Sequence, residues 1–395
     1  MKSEWKKVPL SEVADLTVGF VGTMAPHYVE DGVTFLRSTN VEPFKINLDD
    51  VKYISLEFHQ QIKKSQLNSG DVVIVRTGKP GACTVIPTIK SSWNCSDLVI
   101  IHPDQEKILP LYLASYINLA YGVINANLVG AVQQHFNVGS AKKLIIDLPP
   151  ISIQRQIVAI IQAFNDKIEL NQKISENLER QAQILFAEHF SGFTKDSLPD
   201  GWKMVRLGDV AVICNKSFNP AKEPETLLEH YSIPAFDEAR FPVFELSTNI
   251  KSNKFFVDSD CFMISKLNPT TKRVWKPYCL SNQAVCSTEF IVYTAKERGL
   301  TDFLYSLIDS ESFSDFMCSH VTGSTGSRQR TTPSDTLQFE FALPPTNEIA
   351  EFTAIVQPMY QQIRVNAIEN DRLKQLRDTL LPKLMSGEIE AMEVY

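Results

Sequence analysis

Hydrophobic positions along this chain follow two patterns, and the two alternate. Short β-branched and aromatic runs appear at Val72–Val75 and Leu98–Ile101, and again at Phe255–Val257, Phe262–Ile264 and Phe290–Tyr293. Runs of this length and composition predict buried strands. Pro110–Ala120 and Thr301–Ile308 predict helices among them. The second pattern has helical spacing. Apolar residues fall at Ile157, Ile161, Phe164 and Ile168, and after the polar Asn171 they resume at Ile174, Leu178 and Leu185. A matching series runs through Phe352, Val356, Met359 and Ile363, passes the polar Asn366, and continues at Leu373, Leu376, Leu380 and Leu384. Each series predicts a coiled-coil helix of about 35 residues, roughly 50 Å long, with a polar residue that can fix register at some cost in stability. Pro358 lies inside the second series, so that helix is expected to kink or restart there.

The two patterns occur twice because the chain is duplicated. Trp5-Lys6-Lys7-Val8-Pro9-Leu10-Ser11-Glu12-Val13-Ala14 returns 197 residues later as Trp202-Lys203-Met204-Val205-Arg206-Leu207-Gly208-Asp209-Val210-Ala211. Leu148-Pro149-Pro150 returns 195 residues later as Leu343-Pro344-Pro345, and Asn171 returns as Asn366 at the same interval. A period this long is a repeated domain with its connector, not a solenoid. The expected organisation is a globule over 1–150, a helix over 151–195, a second globule over 196–345 and a second helix over 346–395. The turn-rich segment from Ser191 to Gly201 serves as the hinge. Both Leu-Pro-Pro segments read as strand-to-helix stops, since Pro ends a strand and opens a helix. The expected fold class is α+β: two duplicated mixed α/β domains separated by two long antiparallel coiled-coil helices. Trp5 and Trp202 read as core anchors of the two globules.

Composition narrows the chemistry. The 395 residues are 44% hydrophobic and 22% charged, ordinary for a globular protein. The net charge of −7 argues against coating nucleic acid by charge alone. Residues 1–150 hold 14 basic and 14 acidic side chains, so the first globule is neutral. The seven cysteines include no C-x-x-C pair, which speaks against a zinc site or disulfide framework. No apolar run is long enough to span a membrane and no apolar signal region follows Met1, so the expected setting is the reducing cytoplasm. There is no phosphate loop, dinucleotide fingerprint, nucleophile elbow or H-E-x-x-H segment. A catalytic reading therefore has no residues to carry it.

Two related globules suggest two related targets, and DNA half-sites fit. Base reading needs forked donors: Arg for guanine, Asn or Gln for adenine. Such residues occur in loops that match between copies. Arg76, Thr77 and Lys79 follow a predicted strand in the first copy. Lys266, Asn268, Lys272 and Arg273 follow its equivalent in the second. Gln133, Gln134 and His135 align with Arg328, Gln329 and Arg330, the latter beside a glycine- and serine-rich stretch in which backbone can approach phosphate. Arg37 and Asn40 are weaker candidates.

With its duplicated start, its two Leu-Pro-Pro stops, its two helices and the ending Leu380-Leu381-Pro382-Lys383-Leu384-Met385-Ser386-Gly387-Glu388-Ile389, the chain resembles the specificity subunit of type I restriction–modification systems. The resemblance covers essentially the whole length. It implies two target recognition domains that each read one half of a split, asymmetric double-stranded DNA sequence. It implies helices that set the gap between half-sites and dock two methyltransferase (modification) subunits, through residues such as Ile157, Ile161, Phe164, Ile168, Asn171, Leu178, Phe352, Met359, Ile363, Asn366, Leu373 and Leu380. Restriction and translocation subunits would complete the complex. The chain itself would be non-catalytic and bind no cofactor, with S-adenosylmethionine, ATP and Mg on partner subunits. The alternatives are a specificity subunit of a phage-exclusion or solitary methylation system, and an adaptor that binds protein.

Overall fold

Every apolar run singled out above forms a strand, and its alternation shows why no polar residue interrupts it. The structure, a computed structural model, describes residues 5–78, 80–127, 137–322 and 329–390. The fold is α+β and duplicated, and the chain packs into two compact units: Met1–Lys167 with Leu373–Tyr395, and Ile168–Arg372.

In the first unit, Val72–Val75 lies in a four-stranded antiparallel sheet between Cys83–Val85 and Leu98–Pro103, and Ala14–Val18 completes it. Val72, Ile74, Val99 and Ile101 face a core shared with Tyr112, Leu113 and Ile117 of the helix Pro110–Asn127. Val73, Val75, Leu98 and Ile100 face the other way, against Leu36 and Leu67. Both faces of the sheet are covered, so both sets of alternating positions are apolar. The second unit repeats this arrangement. Cys261–Ser265 and Phe290–Ala295 pair in a sheet flanked by Val274–Trp275 and Ala211–Ile213. Phe262, Ile264, Ile291 and Tyr293 turn to the helical side, and Cys261, Met263, Phe290 and Val292 to the opposite core.

That opposite core is closed by a five-stranded sheet. Its order is Tyr28–Val29, Lys52–Ile54, Val33–Leu36, Trp93–Cys95, Gln66–Leu67 in the first unit. In the second it is Val243–Leu246, Leu227–Tyr231, Ala284–Ser287, Lys254–Phe256, Ser217–Phe218. Each contains one parallel pair, Val33–Leu36 with Trp93–Cys95 and Leu227–Tyr231 with Ala284–Ser287. Four strands correspond, and the fifth is added at opposite edges. The globules have thus diverged outside a common frame.

The Leu-Pro-Pro stops behave as expected. Ile145–Leu148 pairs with Lys6–Pro9, and the first long helix begins at Ile151. Glu340–Leu343 pairs with Lys203–Arg206, and the second begins at Thr346. Trp202 is buried, with its indole N–H on Glu348, and Trp5 packs at the edge of the first core. The long helices run Ile151–Phe190 and Thr346–Met385, 40 residues each.

The boundary between units falls inside both helices, because each unit absorbs part of each helix into its core. In the first unit, Ile157, Ile160 and Ile161 join Leu381, Leu384 and Met385. Burying an aliphatic side chain of this size contributes about 1.5–3 kcal/mol. In the second, Phe186 meets Phe352 at 5.9 Å and Ala182 joins Val356 in the same core. Rising numbers on one helix meet falling numbers on the other, so the helices pack antiparallel within each unit.

Two details of the helix reading need correction. Ile174 and Leu376 are 38% and 46% exposed and are not in the seam. The stripe of buried and half-buried positions instead steps by three and four through Ile168, Asn171, Ser175, Leu178 and Ala182, and through Ile363, Asn366, Asn370, Leu373, Arg377, Leu381 and Leu384. Counting only apolar residues left the stripe wherever it passes through polar ones. The helix also does not restart at Pro358; it is continuous from Thr346 to Met385. Pro358 and Ala354 are exposed, so the carbonyl that loses its N–H partner can face water.

At the polar layer the duplication becomes a local symmetry. Asn171 Nδ2 donates to Asn370 Oδ1 at 2.9 Å and to Glu369 at 2.7 Å. Asn366 Nδ2 donates to Ser175 Oγ at 3.1 Å and to the Asn171 carbonyl at 3.4 Å. Asn366 is the repeat of Asn171 and Asn370 the repeat of Ser175, so the two cross-helix contacts are copies of one another. A slip of one helix by a turn would leave these buried amides unsatisfied. Asn171→Ala is expected to lower stability by about 1–3 kcal/mol. The decrease should appear in urea denaturation and as faster amide exchange in the second unit's helix segments.

Candidate nucleic-acid interface at the strand ends

With both faces of each central sheet covered, side chains free to meet a ligand lie at the strand ends. In the second unit one such end gathers several of the expected residues. Lys266 directly follows the strand Cys261–Ser265. Its N–H donates to the Glu289 carbonyl at 2.9 Å, and its own carbonyl accepts from Thr331 N–H at 3.1 Å. Asn268 N–H donates to the Gln329 carbonyl at 3.0 Å, and Leu267 bridges to Arg330. Lys266 and Asn268 are therefore joined through backbone to Gln329 and Arg330, which lie more than sixty positions later in sequence.

The side chains there are polar and held. Arg330 pairs side-on with Glu289, Nε to Oε2 at 3.0 Å and Nη2 to Oε1 at 3.1 Å. This pair is half-open, with Arg330 43% and Glu289 30% exposed. Asn268 holds a left-handed backbone at φ 48°, tolerated by Asn better than by most residues. Its Oδ1 is buried with no hydrogen-bond partner among the described residues.

Lys272 and Arg273, expected in the same set, are placed differently. Lys272 Nζ bonds the Asp309 carboxylate at 2.9 Å, whose other oxygen takes a hydrogen bond from Gln183 of the first long helix. Arg273 forms a bidentate pair with Asp237 at 2.5 and 2.9 Å, and its side chain is only 12% exposed. Both cations are bound into the packing of their unit.

In the first unit, Arg76 and Thr77 follow the strand Val72–Val75 at the equivalent sheet end. Gly78 and Gly81, at φ 89° and 92°, make the return turn that lets Val75 pair with Ala82. Arg76 Nη1 stands 3.9 Å from Asp97. Lys79, Gln133, Gln134, His135 and Arg328 lie outside the described residues. The segments that carry the last four precede equivalent short helices, Val138–Lys142 and Pro333–Thr336. Arg37 and Asn40 serve a turn. Asn40 accepts from Arg37 N–H and donates to the Asn47 carbonyl, and Arg37 pairs with Asp50. Lys52 first, and then Arg37, hold the Asp50 carboxyl down to about 2.

Two residues of this region escaped a search for donors: the carboxylates Asp97 and Glu289. Each sits in the short link into the second central strand, Leu98–Pro103 or Phe290–Ala295. Their shared place in the repeat was the available signal. Among the described residues no cluster of three or more His, Cys, Asp or Glu is placed to hold a metal ion. No helix there is long and apolar enough to cross a membrane.

Known proteins resemble the chain as follows. Residues 2–180 match the family model described as Type I restriction modification DNA specificity domain. The specificity subunit of type I restriction enzyme HindI from Haemophilus influenzae is 22% identical, over 98% of this chain and 100% of that protein. The specificity subunit of type I restriction enzyme MjaIX from Methanocaldococcus jannaschii is 26% identical, over 64% of this chain and 62% of its own length. Among solved structures, the type I restriction–modification S subunit from M. genitalium shares the fold with a TM-score of 0.54 at 14% identity, covering 97% of this chain and 96% of that one.

The geometry separates two roles for arginine in the second unit. Arg273→Ala is expected to cost about 1–2 kcal/mol of stability, below the ~3–5 kcal/mol of a fully buried pair because Asp237 is about half exposed. It should leave the DNA sequence preference unchanged. Thermal unfolding together with competition binding on sequence-varied duplexes checks both parts.

Proposed function

We propose that the chain is a specificity subunit of the type I restriction enzyme kind and that it chooses the DNA sequence on which its complex acts. The observation that carries this reading is the duplication itself: two copies of one sheet frame, with Arg76 at the strand end of one and Lys266, Asn268, Gln329 and Arg330 gathered at the equivalent end of the other. One copy reads one half of a split, asymmetric target. Arg76, Thr77 and Lys79, with Gln133, Gln134 and His135, serve the first half-site. Lys266, Asn268, Gln329 and Arg330, with Arg328, serve the second. Arg and Lys give bidentate contacts to guanine O6 and N7, and Asn and Gln give them to adenine N6 and N7.

The chain does no chemistry in this reading. Two methyltransferase subunits dock on the long helices and methylate adenine, and restriction and translocation subunits use the same choice of site. S-adenosylmethionine, ATP and Mg sit on those partners, and the complex works in the cytoplasm. The neutral charge of residues 1–150 supports a division of labour. Non-specific affinity comes mainly from phosphate contacts by Lys and Arg, and a neutral reader relies on its partners for most of them. The helix pair sets the gap between half-sites, and its polar layer fixes the register on which that gap depends.

Two experiments on the whole complex test this. Arg328→Ala combined with Arg330→Ala is expected to abolish methylation of one half-site sequence, read by long-read detection of methylated adenine. An unchanged motif would show that the second reading loop lies elsewhere. Inserting four residues after Asn171 is expected to change the number of base pairs between the half-sites. An unaltered gap would remove the helices from that role.

A further inference from the structure

We propose that Glu289 and Asp97 are positioning residues for DNA reading: each orients the guanidinium that reads its own half-site. The proposal rests on the DNA-specificity function above and adds residues that make no base contact themselves.

A carboxylate beside a DNA-facing loop repels phosphate, so an acidic residue there needs a reason. A half-exposed ion pair contributes little to stability, so stability is not that reason. Yet both units place a carboxylate at the same point, in the link into the second central strand, and an arginine faces it each time.

In the second unit the frame is rigid. The backbone of Glu289 is fixed to Lys266 N–H, and the backbone of Thr331, next to Arg330, is fixed to the Lys266 carbonyl. The carboxylate and the guanidinium are thus anchored on one residue, from opposite sides. Glu289 takes the Nε–Nη2 edge of Arg330. A side-on pair of this kind fixes the plane and direction of a guanidinium, whose forked donors match the O6 and N7 acceptors of guanine. The ion pair therefore stops the long side chain from sampling other rotamers and neighbouring phosphates. Fixing it beforehand reduces the entropy lost on binding.

The first unit uses the same carboxylate position with a different partner. Arg76 stands 3.9 Å from Asp97, and Arg76 occupies the strand-end position that Lys266 fills in the second unit. The acid stays in place, while the arginine comes from one loop in one copy and from another loop in the other. This arrangement aims a guanidinium at different points of a half-site without rebuilding the sheet end, which suits two domains that read different sequences.

The test uses the full chain assembled with its methyltransferase subunits, and maps methylated adenine for Glu289→Gln, Glu289→Ala, Asp97→Asn and Arg330→Ala. Thermal unfolding of each purified variant confirms folding. Both Glu289 variants are expected to relax one base position of one half-site, with discrimination there falling on the order of tenfold. The effect should be weaker for Gln, which keeps one acceptor oxygen. The other half-site should stay intact. Asp97→Asn should relax the other half-site instead. If Arg330→Ala alters the motif while both Glu289 variants leave it unchanged, orientation by the carboxylate is overturned and the reading role of Arg330 stands. If neither alters it, the loop does not read DNA and both proposals fail at this site. Uniform loss of methylation without any relaxed position, in a Glu289 variant that melts like the parent, also overturns the proposal.

Discussion

The structure depends on one constraint: each central sheet is covered on both faces. Val72–Val75 and Cys261–Ser265 are buried throughout because helices lie on one side and a second sheet on the other. Once both faces are covered, variation compatible with the fold is confined to strand ends and outer edges. That is where the two copies differ. The five-stranded sheets add their last strand at opposite edges, and the sheet ends carry Arg76 in one copy and Lys266 in the other. A stable frame with variable ends is what the proposed reading of two different sequences by one architecture requires.

The helix pair follows the same economy of parts. Toward its two ends its apolar positions belong to the cores of the units, as Ile157 with Leu381 and Phe186 with Phe352 show. Hydrophobic contacts alone define register weakly, since a slipped pair still buries leucine against isoleucine. The asparagine layer supplies what those contacts lack. Its contacts come in repeat-related pairs, Asn171 with Asn370 and Asn366 with Ser175, so equivalent positions satisfy both sides of the seam.

Much of the fold was legible in the sequence. The period near 195 residues, the Leu-Pro-Pro stops and the apolar runs located both globules and both helices, because burial on two faces leaves an uninterrupted hydrophobic signature. The seam was legible only in part. Ser175 and Arg377 lie half-buried on the stripe, and polarity hid them from an apolar count. Pro358 misled because the cost of proline depends on whether the orphaned carbonyl reaches water, which sequence does not show. The candidate interface was legible as a set of donors but not as a site. Arg273 and Arg330 look alike in the chain; one is locked against Asp237 inside the packing, the other stands half-exposed beside Glu289. Only tertiary placement distinguishes them, and only the repeat draws attention to the acid that faces each arginine.

The central claim is that this chain selects a split DNA sequence for methylation. The most direct measurement is long-read mapping of methylated adenine in the source cell with and without the gene. The account predicts that deletion removes one motif made of two short blocks around a fixed gap, and that restoring the gene restores it. Methylation that is identical in both cells, together with no sequence preference in DNA binding by the purified complex, would contradict it.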